Sequence, residues 1–457
     1  MVIPTVFGRR TPSTDAISRQ RALVLLTACC GVFVGFGSSF VFTFGVFLKP
    51  LTLAFGWSRQ QVSLGFTVAA LTVAVCSPFL GRLFDRYPAR RMILSCVAIY
   101  GIGVSSLSLL TPHLIHFLVV LFLLGIVGNG TTQLGYARVV SSWFDHSRGR
   151  ALAAVMAGSG TGSMIFPPFT QALISAYGWR CAYAVLGGII LLLGIPLAAA
   201  FLREPRDVGR AASQPQPVHK LGLRRCITSA PFLLLISALL LFSFATNGLN
   251  AHIPALLTDR GFSPQNAASV LSVVGLAVLV SKLGTGYFLD RLFAARVATC
   301  FLVLCGIGVL LVSYSKGPAM AYAGSVLFGL GMGAESDATP YLLSRYFGLE
   351  RFSELYGYTW MFYACAGALG PLAMGAFFDR TGSYTILLLI YAALVFAAAV
   401  LFVLLPNYSK SLWDHYGSQA YGSTFNGSPF QNTLQSPLTS YPSFQEGKRW
   451  PSQSKSP

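Results

Sequence analysis

Residues 81–91 read GRLFDRYPARR, and residues 286–296 read GYFLDRLFAAR. Each holds a glycine, an aspartate four residues later, and arginines after it. The offset between the two is 205 residues. The same offset lays FGWSRQQ (Phe55 to Gln61) on RGFSPQN (Arg260 to Asn266), and Val68, Leu71, Val73 and Val75 on Val273, Leu276, Val278 and Val280. No gap is needed between these matches. The chain is therefore a duplication in which both copies run in the same direction.

Working outward from the repeat, apolar runs long enough to cross a bilayer as helices cover 22–48, 61–84, 92–111, 114–141, 151–175, 181–202, 231–257, 266–289, 295–314, 318–344, 355–378 and 384–405. These are numbered spans 1 to 12. Lipid offers the backbone no hydrogen-bond partners, so runs of this length read as helices. The expected domains are a cytosolic N-terminal segment 1–21, a six-helix half 22–202, a cytosolic linker 203–228, a second half 229–405 and a disordered cytosolic tail 406–457. No short apolar run with a cleavage site follows the polar start, so it reads as a cytosolic segment rather than a removable signal peptide.

Charge supports this layout. Only 10% of the 457 residues are charged and 54% are hydrophobic, which excludes an ordinary water-soluble enzyme. The net charge of +18 would suggest nucleic acid on a soluble domain. Here the cations follow topology instead. With the N-terminus cytosolic, 24 of the 32 Lys and Arg fall on the cytosolic side and six on the outer side: Lys49, Arg59, Arg180, Arg260, Lys316 and Arg380. That asymmetry sets the orientation. No nucleic-acid partner is expected. The nine cysteines form no CxxC or Cys/His cluster, so they read as packing residues rather than metal ligands or a disulfide framework. No cofactor or metal is expected, and no nucleophile–base set or phosphate loop points to an enzyme.

The paired glycine–aspartate loops resemble the signature loop of the major facilitator superfamily, one copy per half. That resemblance implies an all-α membrane protein, with twelve transmembrane helices in two parallel six-helix pseudo-repeats, working by alternating access. Gly81 and Gly286 would allow close helix contact, and Asp85 and Asp290 would cap a neighbouring helix or pair with arginine. With Arg86, Arg90 and Arg291, they form an expected cytosolic gate.

A narrower resemblance is to the monocarboxylate and oxalate/formate transporter families. It rests on RGRALAAVMAGSGTGSMIFPPFTQALISAYGWRCAYAVLGG (Arg148 to Gly188), on FGVFLKPL (Phe44 to Leu51) with Trp57-Ser58-Arg59, and on GLGMGAESDATPYLLSRYFG (Gly329 to Gly348). The chain departs from those families at Phe42 and Val278, where animal monocarboxylate carriers have a lysine and an aspartate, and in lacking a cation within 355–378.

The ionisable groups inside the spans are the candidate site. Lys282 lies about 10 Å from the cytosolic end of span 8, at the position that aligns with the monocarboxylate family's helix 8 arginine. It is read as the cation that meets a substrate carboxylate, against the alternative of a snorkelling lysine. Glu335 and Asp337 in span 10 are two residues apart, roughly 200° around a helix, so they cannot both face one cavity. One is expected to line the pathway or pair with Lys282, with a proton-carrying role. Arg138, His252, Asn247, Asn250 and Tyr341 complete the candidate substrate-binding set, each with a structural role as the alternative.

The expected partners are a small organic anion, with a proton as co-substrate, and the lipid bilayer. The protein is expected to act as a monomer in the plasma (inner) membrane with both termini cytosolic. The substrate class read first is a monocarboxylate of the lactate or pyruvate type. The alternatives are an organic-anion antiporter without proton coupling, efflux of amphipathic compounds, and a transporter-like sensor signalling through its tail.

Overall fold

Two matched turns show how the duplication becomes structure. In the computed structural model, Gly56 (φ 70°) and Gly261 (φ 86°) both adopt the left-handed conformation, which glycine enters without steric cost. Two residues on, Ser58 Oγ accepts the backbone N–H of Gln61 at 3.2 Å, and Ser263 Oγ accepts that of Asn266 at 3.2 Å. Each serine satisfies a backbone donor that the start of a helix leaves unpaired. Those helices are α3 (Arg59–Arg86) and α10 (Pro264–Leu289), which are spans 2 and 8.

The structure describes residues 14–144, 148–202, 223–289, 291–348 and 352–406. Among them there is no strand. Span 1 is interrupted: α1 (Thr14–Phe33) gives way to a π-helical turn at Gly37–Val41 and then α2 (Phe44–Phe55). Span 3 is α4 (Ala89–Ser106). Span 4 is α5 (Leu114–Gly128), a 3-10 turn, and α6 (Gln133–Trp143). Spans 5 and 6 form α7 (Arg148–Phe201), broken at Gly178 by a non-helical φ of 82° and ψ of 166°. A short α8 (Leu223–Ile227) precedes spans 7 to 12, which are α9 (Ala230–Asp259), α10, α11 (Ala294–Ser313), α12 (Pro318–Phe347), α13 (Phe352–Thr381) and α14 (Thr385–Val403). The end of the expected 203–228 linker is thus helical. Residues 203–222 and the tail from 407 lie outside the described residues.

Ten segments among the described residues are long and apolar enough to cross a membrane. The α7 segment counts once there but folds over at Gly178 into two spans. The 30-residue α12 falls outside that set and carries Glu335 and Asp337. Twelve spans result. Large apolar side chains such as Ile115 and Leu192 stand exposed on the helix bundle, as a lipid-facing surface requires. The chain is an integral multi-pass membrane protein.

The halves meet most extensively through two pairs of helices, α3 with α13 and α7 with α10, and to a smaller extent through α2 with α9. Small residues make these contacts close, as the AGSGTG stretch (Ala157 to Gly162) suggests. A Cβ at Gly158 or Gly162 would lie 2.3 or 2.4 Å from carbonyl oxygens of α1 (Cys29 and Phe33), and one at Gly160 would lie 2.8 Å from Leu279 of α10. Three glycines on one α7 stretch thereby hold it against its own half and against the other half.

Candidate functional site

A cavity of about 130 Å³ opens next to that contact. The first half contributes Ala153, Met156 and Ala157 from α7. The second contributes Leu279, Lys282 and Leu283 from α10 and Asp337 from α12. Lys282 and Leu283 follow Leu279 by one turn, so the cavity begins where the halves stop touching. Its walls are otherwise apolar, and its volume holds several waters. Lys282 feels the Asp337 carboxylate most strongly and Glu335 next. Neither lies within 4.0 Å of it as an ion pair: among the described residues such pairs are Lys49–Asp259 and Arg59–Asp259. The ammonium group therefore stands beside carboxylates without a contact partner, between the two halves.

The two α12 carboxylates point different ways. Glu335 is buried, does not line the cavity, and accepts a 2.9 Å hydrogen bond from Thr339 Oγ1. It acts electrostatically on Cys305 of α11 and on Tyr363 of α13. Asp337 is half-buried and faces the cavity. Tyr341, one turn further along α12, is half-buried and outside the cavity lining.

At the end bearing Lys49 and Arg59, called outer after the charge count, polar contacts bind the halves. Asp259 at the end of α9 takes Lys49 Nζ at 2.6 Å and both Arg59 terminal nitrogens, at 2.6 and 3.0 Å. The Arg59 and Gln60 backbone N–H groups donate to Asp379 at 3.1 and 2.8 Å. The Arg59 guanidinium lies 3.7 Å over the Phe378 ring and donates to the Tyr384 hydroxyl at 2.5 Å. Deeper, Thr67 Oγ1 donates to the Ala368 carbonyl at 2.7 Å and Ser272 Oγ to the Met164 carbonyl at 2.6 Å. The outer end is shut. The sequence reading counted Lys49 and Arg59 as topology markers and missed this closure. The signal available was the set of acidic residues at the same end, Asp259 and Asp379.

His252 belongs to that closure rather than to the Lys282 cavity. It is fully buried, with Nε2 at 3.1 Å from both the Pro371 carbonyl and Ser63 Oγ, and Nδ1 at 3.0 Å from the Tyr384 hydroxyl. Asn247 donates to the Ser243 carbonyl and hydroxyl one turn back, at 3.1 and 3.2 Å. Asn250 is buried, and its Oδ1 has no hydrogen-bond partner among the described residues. None of the three lines the cavity with Lys282.

At the inner end the expected close contact at the signature glycines is corrected. No described atom lies within 4 Å of a Cβ built on Gly81 or Gly286, nor on Gly284 or Gly357 nearby. The faces bearing these glycines are open, while Leu80, Phe84, Thr285 and Leu289 beside Gly81 and Gly286 are buried. Arg86 is exposed. Arg90 donates to the Ala199 carbonyl of α7, a contact within its own half. Arg291 stacks 3.8 Å over the Tyr287 ring, also within its own half. The side chains of Asp85 and Arg138, and all of Asp290, lie outside the described residues.

The family model of the Major Facilitator Superfamily matches residues 27–371. The chain is 25% identical over 382 residues to monocarboxylate transporter 13 of Bos taurus, covering 82% of this chain and 88% of that protein. It is 25% identical over 374 residues to monocarboxylate transporter 11 of Homo sapiens (79% and 78%), and 23% identical over 382 residues to an uncharacterised MFS-type transporter of Bacillus subtilis (80% and 90%). Its fold is similar to the crystal structure of a bacterial homologue of the human lysosomal transporter Spinster in an inward-facing, occupied conformation. The TM-score is 0.67 at 15% identity, covering 88% of this chain and 99% of that one. Twelve spans, a cavity between two halves and a family match over most of the length agree: the chain belongs to the major facilitator superfamily of membrane transporters.

Proposed function

We propose that this transporter carries a small monocarboxylate together with a proton, by rocking its halves (22–202 and 229–405) about the cavity at Lys282. The observation that carries the reading is a lysine in an otherwise apolar cavity between the halves, beside Asp337 and without a contact ion pair. A substrate carboxylate would give Lys282 its partner. Neutralising it removes the cost of holding a bare cation in a closed cavity, about 2.5–3.5 kcal/mol at mid-membrane on insertion scales.

Asp337 supplies the reason for a proton. An anion about 5 Å from an ionised Asp337 is repelled by about 3 kcal/mol at an effective dielectric near 20, roughly a hundredfold in affinity. Protonating Asp337 removes that repulsion and leaves Lys282 for the substrate. Substrate and proton therefore bind together. The likeness to monocarboxylate transporters 11 and 13 supports the substrate class. The charge asymmetry supports cytosolic termini.

The test is uptake of labelled mono- and dicarboxylates into proteoliposomes, with and without an imposed pH gradient. Saturable monocarboxylate uptake driven by an inward proton gradient is expected. Uptake that ignores the gradient and requires an internal counter-substrate would refute symport in favour of exchange.

A further inference from the structure

His252 has a different chemistry from the cavity and a different address. Its ring lies in the outer closure and bridges the halves. Ser63 and Arg59 come from α3 in the first half; Pro371, Tyr384 and Asp379 come from the second half, as His252 does. Because a carbonyl only accepts, Nε2 carries the hydrogen and donates to Pro371. Nδ1 then accepts from the Tyr384 hydroxyl, whose oxygen in turn accepts from Arg59 Nη1. The imidazole is thus neutral in the closed arrangement, with every ring nitrogen used.

A second proton on this ring has no place while the outer end is shut. Nδ1–H would have to face an oxygen already bonded to the Arg59 guanidinium, and Tyr384 would have to send its own proton elsewhere. The charges that act on the ring are Arg59 of α3 and Asp259 of its own helix, of opposite sign. Asp259 is held by Arg59 and Lys49 of α2, and both Asp379 oxygens are taken by the Arg59 and Gln60 backbone N–H groups. Among the described residues, no carboxylate contacts the imidazole directly.

Parting the outer ends would reverse this, as follows from which half each partner belongs to. Arg59 and Ser63 leave with the first half, and the Tyr384 oxygen becomes free to accept from a protonated Nδ1. Pro371 still accepts from Nε2, and outer water reaches the ring.

We propose that His252 is a proton-binding site reached from the outer side, and that its protonation favours the outward-open state. This goes beyond the carboxylate reading and stands without it. The sign follows from linkage: the state with the higher proton affinity gains as pH falls. The open state offers a second proton an acceptor and water, and the closed state holds the ring neutral. Across the range in which an imidazole changes charge, the open-to-closed ratio rises as pH falls, by up to about tenfold per pH unit.

The experiment measures a distance across the outer rim with no substrate present. Spin labels on noncanonical amino acids at Leu53 and Arg380, both exposed at the outer end, avoid the nine native cysteines. The protein is held in nanodiscs from about pH 8 to about pH 5, the range over which an imidazole changes charge. The wild type is expected to gain a longer-distance population as pH falls, and His252→Gln to show none of that response. A wild-type distribution that ignores pH, or a His252→Gln protein that keeps the full response, overturns the proposal. If His252→Gln does not fold, Tyr384→Phe serves: without the hydroxyl, which accepts from the protonated ring in the open state and occupies Nδ1 in the closed one, the change of the open-to-closed ratio with pH should be smaller than in the wild type, and a full-sized response overturns the proposal.

Discussion

Asp259→Asn is the most informative change at the outer end, because one carboxylate there holds two cations of the other half. Asn keeps the shape and one acceptor oxygen but loses the charge. The Arg59 fork makes two contacts at 2.6 and 3.0 Å, with the Arg59 side chain 12% exposed and that of Asp259 28% exposed. A charge-assisted interaction of that kind is worth about 2 kcal/mol. The Lys49 pair, 29% exposed, adds about 0.5 kcal/mol after solvent screening. Losing them should shift the closed-to-open ratio of the outer end by about 2 to 3 kcal/mol, roughly 30- to 150-fold. The same spin-label pair at Leu53 and Arg380 reads this directly, at a pH where His252 is neutral. A longer-distance population should grow in Asp259→Asn. In the wild type, raising the ionic strength from about 0.1 M to about 1 M should move the ratio the same way but less, since the Debye length shrinks from about 10 to about 3 Å. An Asp259→Asn distribution indistinguishable from the wild type would refute the assignment of this network as the closure.

Three further outcomes follow from the geometry. Gly275→Leu puts a side chain where even a Cβ would lie 2.7 Å from the Ser163 backbone; the α7–α10 contact should separate, with transport lost while the folded protein persists by size-exclusion profile. Asp337→Asn should make substrate binding nearly independent of pH and abolish stimulation by a proton gradient, measured by uptake at a series of external pH values. Glu335→Gln, which touches Thr339 rather than the cavity, should leave that pH dependence in place and lower thermal stability instead.

The fold was legible because its signals are local and repeated. The 205-residue offset that pairs FGWSRQQ with RGFSPQN becomes two left-handed glycines and two serine caps at the starts of α3 and α10. Apolar length gave the spans, and Gly178 breaks α7 between the two runs read as spans 5 and 6. The angular separation of Glu335 and Asp337 also follows from helix geometry alone, and they do face different neighbours. Which of them shares a cavity with Lys282 depends on how α10 and α12 rotate against each other, and a single helix does not encode that. The outer closure was hidden for the same reason. Arg59 and Asp259 are 200 residues apart, and each looks like an ordinary loop-end charge until the halves are assembled. His252 illustrates the risk of reading polarity within a span as substrate contact: its partners lie on three other segments, and all belong to the closure. The signature glycines Gly81 and Gly286 suggest contact points by sequence, yet with the outer end shut no described atom approaches them.

The central claim is that Lys282 binds the carboxylate of the cargo. Its most direct test is uptake of a labelled monocarboxylate by proteoliposomes carrying equal amounts of wild-type, Lys282→Arg and Lys282→Ala protein. Lys282→Ala should lose saturable uptake by at least about tenfold, the loss of one charge-assisted contact, while Lys282→Arg, which keeps the charge, should retain part of it. Wild-type uptake by Lys282→Ala would contradict the claim outright.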